Sequence, residues 1–264
     1  MLLCQISDLH VMAGRAPAYG VVDTAACLER CVQRVAGLDP MPDAVIATGD
    51  LVDTPDARSY GLLREILASL PLPVYLLPGN HDERQALRAA FPDHRYLQSG
   101  GDFLQYAIDE YPVRLLALDT VIPGQPEGAL CARRLDWLER RLAESDAPTV
   151  IALHHPPFFT GIGHMDRMGL DDPSALARVV RRFPQVQRII CGHLHRPIQA
   201  LFGGTLASVC PSTAHQVMLD LKPDSPARLV LEPPAFQLHL WNDGTLVTHT
   251  AYTGRYDGPY RFHD

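Results

Sequence analysis

Five short apolar segments of this chain each end in side chains that can bind a metal ion. The residues that follow these segments are Asp8 and His10, Asp50, Asn80 and His81, His154 and His155, and His193 and His195. An apolar run that stops abruptly at a polar residue is typical of a strand buried in a parallel sheet. Open α/β sheets bind their ligands at the carboxyl ends of such strands. The pattern therefore predicts an α/β protein with a metal site at strand ends.

Helical patterns separate the first three of these segments. Residues 23 to 36 form one predicted helix, which Asp23 or Thr24 can cap. A second helix follows Thr54 and Pro55, which we interpret as its N-cap and first helical residue. Strands that alternate with helices indicate parallel strands with helical crossovers.

The rest of the chain mixes both patterns. Residues 103–108 and 113–118 are expected to form a hairpin, and helices are expected near 132–144 and 173–183. From about residue 200 to 264 the chain is predicted to be β-rich, with a hairpin turn at Asn242-Asp243-Gly244. His239 and His249 are expected to be ordinary residues on sheet faces. No linker or composition break divides residues 1–264, so we expect a single domain.

Charge and composition narrow the classes of partner. Of the 264 residues, 47% are hydrophobic, enough for a large core, and the formal net charge is −7. This acidic balance argues against a nucleic-acid partner, because such proteins need basic surface to displace counterions. An anionic substrate remains compatible with it if bound cations supply a local positive field.

The location of the protein is also constrained by the sequence. No apolar stretch approaches the roughly 20 residues that cross a bilayer, and the N-terminus lacks the basic region of a signal peptide. The six cysteines include no CxxC pair and are expected to be reduced thiols, several packed as small apolar groups. We therefore expect a cytoplasmic protein with no membrane partner.

The candidate ligands suit a pair of metal ions. Aspartate, histidine and asparagine favour manganese, iron, zinc or cobalt ions. The seven candidates are Asp8, His10, Asp50, Asn80, His154, His193 and His195. Seven ligands are about the number that two ions need if one carboxylate is shared, and Asp50 is the expected bridge because Gly49 allows a tight turn. His193 and His195 would share a face in extended backbone, so the loop must direct them apart.

These motifs resemble those of the calcineurin-like metallophosphoesterases in order, spacing and position at strand ends. The matching motifs are Asp8-x-His10, Gly49-Asp50-x-x-Asp53, Gly79-Asn80-His81-Asp82, His154-His155-Pro156-Pro157 and Gly192-His193-x-His195. A narrower resemblance is to the bacterial class III cyclic-nucleotide phosphodiesterases and glycerophosphodiesterases. It rests on Leu2-Leu3, Tyr19-Gly20, Arg182-Phe183-Pro184 and Thr213-Ala214-His215-Gln216-Val217. The resemblance is weakest from about residue 218 to 264.

The resemblance implies a fold and a ligand set. The fold would be a four-layer α/β/β/α sandwich of two packed mixed sheets flanked by helices. The first metal would take Asp8, His10, Asp50 and His195, and the second would take Asp50, Asn80, His154 and His193. Relatives in this branch form dimers and larger assemblies, so a homo-oligomer is expected, with the β-rich C-terminal part contributing to it.

The expected mechanism is phosphodiester hydrolysis by a metal-bound hydroxide. His81 is the predicted catalytic partner of the metal-bridging Asp50, as a proton donor to the leaving group or as an electrostatic stabiliser. The predicted substrate-binding residues are Asn80, His81, His195, His215 and Tyr19. Asp82 or Asp53 is expected to orient an imidazole. His155 either supports the neighbouring metal ligand His154 or is merely packed in the protein interior.

Three functions compete. The leading prediction is a phosphodiesterase of small, glycerophosphodiester-like substrates, and the alternative is a 3′,5′-cyclic-nucleotide phosphodiesterase with the same motifs. A non-catalytic scaffold with the same fold predicts eroded ligands, and none of the family's ligands is missing from this sequence.

Overall fold

The computed structural model describes residues 1–99 and 101–263. Its strands are β1 (Leu2–Ile6), β2 (Ala44–Thr48), β3 (Val74–Leu77), β4 (Tyr106–Ile108), β5 (Arg114–Leu118), β6 (Thr149–Leu153), β7 (Val186–Cys191), β8 (Ile198–Phe202), β9 (Thr205–Val209), β10 (Gln216–Val217), β11 (Leu229–Val230), β12 (Ala235–Asn242) and β13 (Thr245–Tyr252). Its α-helices are α1 (Thr24–Ala36), α2 (Ala57–Leu67), α3 (Arg84–Ala90), α4 (Arg95–Gln98), α5 (Ala132–Ala143), α6 (Gly163–Asp166) and α7 (Pro173–Val180).

The larger strands form two mixed sheets. The first sheet has the order β13-β12-β1-β2-β3, in which β1, β2 and β3 are parallel and β12 is antiparallel to both of its neighbours. The second sheet has the order β4-β5-β6-β7-β9-β8, parallel from β5 to β9 with an antiparallel strand at each edge. The antiparallel pair of β4 and β5 is the predicted hairpin.

The two sheets pack face to face with helices outside them. On β6, Val150 and Ala152 belong to the core shared with the first sheet, whereas Ile151 and Leu153 pack with residues of α5 and α7. Successive side chains of a strand point to opposite faces, so the second sheet lies between the first sheet and these helices. Helices α1 and α2 pack against the first sheet. The predicted arrangement of two mixed sheets flanked by helices is confirmed.

One of the two helices of the first half begins at the expected residue, and the other does not. The Asp23 side chain accepts a hydrogen bond from the Ala26 amide and caps α1, as predicted. The prediction that Thr54 caps α2 is wrong. Asp56 caps it instead, because its carboxylate accepts hydrogen bonds from two backbone N–H groups of the first turn and carries the charge that a helix N-terminus favours.

The β-rich C-terminal part completes the first sheet. Strand β12 pairs with β1, and β13 forms the sheet edge. The turn between them has positive φ angles at Asp243 (47°) and Gly244 (79°), which confirms the predicted hairpin. On these strands His249 is exposed, but His239 is buried between the sheets.

Two further expectations from the sequence concern membrane-spanning segments and the state of the cysteines. Over the described ranges, none of the helices has both the length and the apolar character that a bilayer span requires. All six cysteines are free, and all but Cys131 are buried, as expected for thiols packed as small apolar groups.

Candidate metal centre

The seven candidate ligands converge where the carboxyl ends of strands from both sheets meet. Asp8 and His10 follow β1, Asp50 follows β2 and Asn80 follows β3, whereas His154 follows β6 and both His193 and His195 follow β7. Six of the seven are buried, and Asn80 is partly exposed. The site is thus assembled from both sheets.

The backbone at these strand ends adopts conformations that side-chain-bearing residues rarely take. Among residues 1–99 and 101–263, nine non-glycine residues have a positive φ. Five of them are candidate ligands: Asp8 (55°), His10 (45°), Asp50 (49°), His193 (73°) and His195 (52°). Strained conformations persist only where the surroundings enforce them, and they concentrate at functional sites. At His193 and His195 this backbone directs the two rings into different clusters, as the sequence required.

Asp8, His10, Asp50 and His195 form what we call the first cluster. One ligand atom from each lies within 4.8 Å of the others. The Nε2 atoms of His10 and His195 are 3.2 Å apart, and His195 Nε2 lies 3.5 Å from Asp8 Oδ1. Two ligand atoms each about 2.1 Å from one ion lie about 3.0–3.4 Å apart for right-angled to tetrahedral coordination, so these separations suit a shared cation.

Hydrogen bonds at the far side of each ring fix its tautomer in the first cluster. His195 Nδ1 donates to the His215 carbonyl oxygen at 3.0 Å, and His10 Nδ1 lies 3.2 Å from the Asp53 carboxylate. With Nδ1–H engaged, each neutral ring directs a bare Nε2 lone pair at the other. Two such lone pairs repel unless a cation or a proton lies between them, so the donor set fits a metal ion.

Asp50, Asn80, His154 and His193 form the second cluster. His154 Nε2 lies 3.1 Å from Asn80 Oδ1 and 3.4 Å from Asp50 Oδ1, while its Nδ1 donates to the Thr48 carbonyl oxygen at 2.8 Å. The His193 ring lies 5.0 Å from the His154 ring, and its buried Nε2 finds no hydrogen-bond partner in the described part of the chain. A buried nitrogen without a partner is costly, and a metal ion would satisfy it.

Asp50 lies between the two clusters. Its Oδ1 faces His154, and its Oδ2 lies 3.6 Å from His10 Nε2. The His81 backbone N–H donates to Oδ1 at 3.0 Å and holds the carboxylate in this orientation. Gly79 permits this approach, because a Cβ added there would overlap Asp50 Oδ1. One carboxylate therefore directs an oxygen to each cluster, which is the geometry of a bridge.

Burial and charge set the protonation of the site. Burial raises the pKa of Asp8 to about 6. Burial also opposes ionisation of Asp50, but the charge and hydrogen bond of His154 hold the pKa of Asp50 well below its usual value. Burial disfavours a charged His154, yet Asp50 outweighs it and raises the pKa of His154 to about 9. Burial lowers the pKa of His193 to about 3, so this ring is a neutral ligand.

Two residues of the sequence motifs have roles other than metal binding. His155 is fully engaged by protein atoms, since Nε2 donates to the Pro126 carbonyl oxygen at 3.1 Å and Nδ1 lies 2.8 Å from Thr120 Oγ1. This favours the packing alternative for His155. Asp82 orients no imidazole: its carboxylate accepts hydrogen bonds from the backbone of Gly79 (2.8 Å) and Leu51 (3.1 Å) and from a tyrosine hydroxyl. Asp53 is the carboxylate that contacts His10.

A cleft of about 320 Å³ opens onto both clusters. The predicted substrate-binding residues Asn80, His81, His195, His215 and Tyr19 all line it. His81 Nδ1 donates to the Asp53 carbonyl oxygen at 2.9 Å, and the His215 ring packs against those of His195 and Tyr19 at 4.6 and 5.2 Å. A second cavity of about 410 Å³ adjoins the cleft through Asn80 and His81.

Sequence reasoning missed the wall of the cleft opposite the histidines. This wall consists of Met165, Met168, Val217 and Leu229, with Arg228 at its rim. These residues lie on the segment around α6 and on the small sheet of β10 and β11, far apart in sequence. They carry no motif, so only the folded chain reveals them.

Comparisons with known proteins agree with this geometry. The model of the family described as calcineurin-like phosphoesterase matches residues 1–197. The chain is 37% identical over 267 residues to a probable glycerophosphodiester phosphodiesterase of Arcobacter nitrofigilis, covering 100% of this chain and 97% of that protein. It is 32% identical over 250 residues to a 3′,5′-cyclic adenosine monophosphate phosphodiesterase of Pseudomonas aeruginosa, covering 94% of this chain and 88% of that one. A dimetal phosphatase from Danio rerio has the same fold, with a TM-score of 0.70, 15% identity and 96% coverage of both chains.

Proposed function

The chain belongs to the calcineurin-like phosphoesterase family, and we propose that it is a phosphodiesterase that uses two metal ions held by the two clusters. The observation that carries this proposal is the position of Asp50, with one carboxylate oxygen toward each cluster. The orphaned His193 Nε2 and the facing Nε2 atoms of His10 and His195 support it.

The protein and the ions have separable tasks. When bound, two cations supply a hydroxide nucleophile at neutral pH and neutralise charge on the phosphate oxygens. The histidines and carboxylates hold the ions, and manganese, iron, zinc and cobalt all suit these donors. Asn80, His195, His215 and Tyr19 line the cleft where the phosphate and its substituents would lie. Hydrogen bonds on the far sides of the buried His154 and His195 rings keep these ligands fixed, so little reorganisation accompanies the reaction.

His81 is the residue we assign to the leaving group. Its Nδ1 is occupied as a donor to the Asp53 carbonyl oxygen, so its Nε2 is the ring nitrogen free to act in the cleft. The Asp53 carboxylate lies 3.8 Å from the same Nδ1 atom, on the side of the ring away from Nε2. A positioned proton donor contributes about 10²–10⁴-fold to rate.

For the substrate we propose a small glycerophosphodiester. The relative named for that activity supports this choice, and so do the polar side chains of Asp53, Glu83 and Gln125 in the lining of the second cavity, which can hydrogen-bond to a small polar alcohol beside the site. A 3′,5′-cyclic nucleotide is the second candidate. The relative named for cyclic adenosine monophosphate supports it, together with the apolar cleft wall, which could pack against a base.

Turnover of paired substrates tests the proposal. With Mn²⁺ added, we expect glycerophosphoethanolamine to be hydrolysed with a higher kcat/KM than 3′,5′-cyclic AMP; the reverse ranking would favour the cyclic nucleotide. His81→Gln should lower kcat by about 10²–10⁴-fold while the metal content stays at that of the parent. His249→Gln, at an exposed histidine on β13, is the matched control and should change neither quantity. Two bound ions without hydrolysis of any diester would identify a scaffold.

We further propose that the protein is a homo-oligomer whose contact includes the C-terminal part. Strand β13 is an edge strand of eight residues, and Leu240, Val247, Tyr252 and Tyr256 of this region are exposed. Exposed edges with apolar side chains favour pairing with another chain. Because β12 pairs with β1, truncation after residue 218 would remove two strands of the first sheet. Val247→Lys is the cleaner test: the size-exclusion mass should fall, and an unchanged mass would contradict the proposal.

A cytoplasmic location is also a proposal. Six free cysteines, one of them exposed, suit a reducing compartment. Cell fractionation of a tagged protein tests it, and recovery in a periplasmic or extracellular fraction would contradict it.

A further inference from the structure

The two clusters depend on how the two sheets are placed relative to each other. The first sheet supplies Asp8, His10, Asp50 and Asn80, and the second supplies His154, His193 and His195. The apolar core between the sheets is non-directional, so by itself it tolerates small sliding movements. Hydrogen bonds between the sheets are directional and can fix their register.

Gln5 makes such bonds from the middle of β1. Its side chain is fully buried, and Nε2 donates to Thr48 Oγ1 at 2.9 Å and to the Cys191 carbonyl oxygen at 2.9 Å. An amide has two N–H donors, and both are used here. Thr48 ends β2 two residues before Asp50, and Cys191 ends β7 two residues before His193. A single amide therefore joins three strands that carry candidate ligands, one of them in the opposite sheet.

Hydrogen bonds to the oxygen of the Gln5 amide fix its orientation. His239 Nε2 lies 3.1 Å from Gln5 Oε1, and His239 Nδ1 lies 2.8 Å from Thr248 Oγ1. The Cys191 carbonyl oxygen can only accept, so the Gln5 amide nitrogen faces it and Gln5 Oε1 faces His239 as an acceptor. His239 Nδ1 then accepts the Thr248 hydroxyl proton, and the oxygen of that hydroxyl accepts from Arg188 Nη1 at 2.6 Å. Nε2 of His239 then carries the proton and donates to Gln5. The buried chain of bonds is satisfied in one direction only, so the Gln5 amide cannot flip.

We propose that Gln5 is a positioning residue that sets the distance between the ligands of the two sheets, and chiefly those of the second cluster. This inference rests on the proposed two-metal function. Thr48, which receives one Gln5 bond through its hydroxyl, also accepts the His154 Nδ1–H through its carbonyl oxygen. Cys191, which receives the other bond, leads into His193. The two histidines of the second cluster are thereby tied to β1 through one side chain.

The second cluster is the more sensitive of the two to a shift between the sheets. It takes Asp50 and Asn80 from the first sheet and His154 and His193 from the second, so a shift displaces half of its ligands from the other half. The first cluster takes three of four ligands from the first sheet. Changes in residues that orient metal ligands cost about 10–100-fold in metal affinity. We therefore expect loss of the Gln5 amide to weaken the second ion by this factor and to leave the first ion nearly unchanged.

Gln237 provides a matched control. It lies beside Gln5 in the β1–β12 ladder, is equally buried, and also crosses between the sheets, donating to the Val209 carbonyl oxygen at 3.3 Å. Strand β9, which contains Val209, carries none of the candidate metal ligands. Gln5→Met and Gln237→Met therefore remove the same kind of group from the same layer, and only the Gln5 amide hydrogen-bonds to neighbouring strands that carry ligands.

The test is titration of metal-free parent, Gln5→Met and Gln237→Met proteins with Mn²⁺ by calorimetry, together with thermal unfolding of each. Gln5→Met should raise the dissociation constant of the second ion by about 10–100-fold, and Gln237→Met should not, although both variants lose stability. Equal second-ion binding in all three proteins, or equal loss in both variants, overturns the inference. A parent that binds no ions overturns the proposed function and this inference with it.

Thr48→Val keeps the test decisive if Gln5→Met does not fold. This variant removes only the hydroxyl that receives the Gln5 bond and keeps the carbonyl oxygen that receives His154. Its second ion should bind about tenfold more weakly than in Gln237→Met. Second-ion affinity equal to that of Gln237→Met would overturn the inference.

Discussion

The two clusters share Asp50 but differ in charge and construction. The first cluster contains two carboxylates and two rings whose Nδ1 atoms are engaged by Asp53 and by the His215 carbonyl oxygen. The second cluster contains only the shared carboxylate, a neutral amide, and rings supplied by the opposite sheet. A cation is attracted more strongly by two carboxylates than by one, so we expect the first cluster to bind its ion more tightly. The comparison predicts that two sites sharing one carboxylate differ in their affinity for metal ions.

The largest expected effect comes from a change that disrupts both clusters at once. Gly79→Ala places a Cβ against Asp50 Oδ1 and the Asp50 amide, so the bridge must move. We expect diesterase activity to fall by at least about 10³-fold, because both of the ions that would stabilise charge in the transition state lose a ligand. Gly61→Ala is the control, since an added Cβ in α2 meets no atom within 4 Å and should only stabilise the helix by up to about 1 kcal/mol. Full activity in Gly79→Ala would show that the bridge does not govern both clusters.

The second expected effect is a pH dependence of the second ion. The pKa of His154 is raised to about 9, so below that pH its Nε2 carries a proton that the ion must displace. Second-ion affinity should therefore rise about tenfold per pH unit between pH 6 and 8, with release of about one proton per ion. Calorimetry in buffers of different ionisation enthalpy measures both quantities. Affinity that stays constant over this range would remove His154 from the second site.

The smallest expected effect is a loss of metal affinity that is confined to the first cluster. Asp53→Ala removes the carboxylate that holds His10 Nδ1, while the backbone carbonyl oxygen that holds His81 is retained. First-ion affinity should fall by about tenfold, the lower end of the effect of such orienting groups, with second-ion affinity preserved. Equal weakening of both ions would mean that the two clusters are not independent.

The sequence predicted part of the convergence of the site, because the parallel strands of one sheet place their carboxyl ends at the same edge, which brings Asp8, Asp50 and Asn80 together without any coordinates. The approach of His154, His193 and His195 from a second sheet was implied only by the family resemblance. The sequence could not predict the backbone at His10 or His193, because positive φ at non-glycine residues arises from surrounding contacts and leaves no compositional mark.

The sequence also could not predict the roles of side chains whose contacts lie far away along the chain. His155 is held by Thr120 and Pro126, whose proximity follows only from tertiary packing. His239 alternates with its neighbours like a residue of a sheet face, yet the face on which it lies is covered by the second sheet. Pattern specifies which strand face a residue occupies, but not what covers that face.

The most direct test of the shared carboxylate is the metal content of the parent and of Asp50→Asn, measured by elemental analysis after dialysis against Mn²⁺. The parent should hold two ions per chain. Asp50→Asn should hold fewer than two and lose diesterase activity together with the missing ion, because the amide carries no charge to bridge two cations. An Asp50→Asn protein that retains both ions and hydrolyses diesters as fast as the parent would contradict the assignment of Asp50 as the bridge.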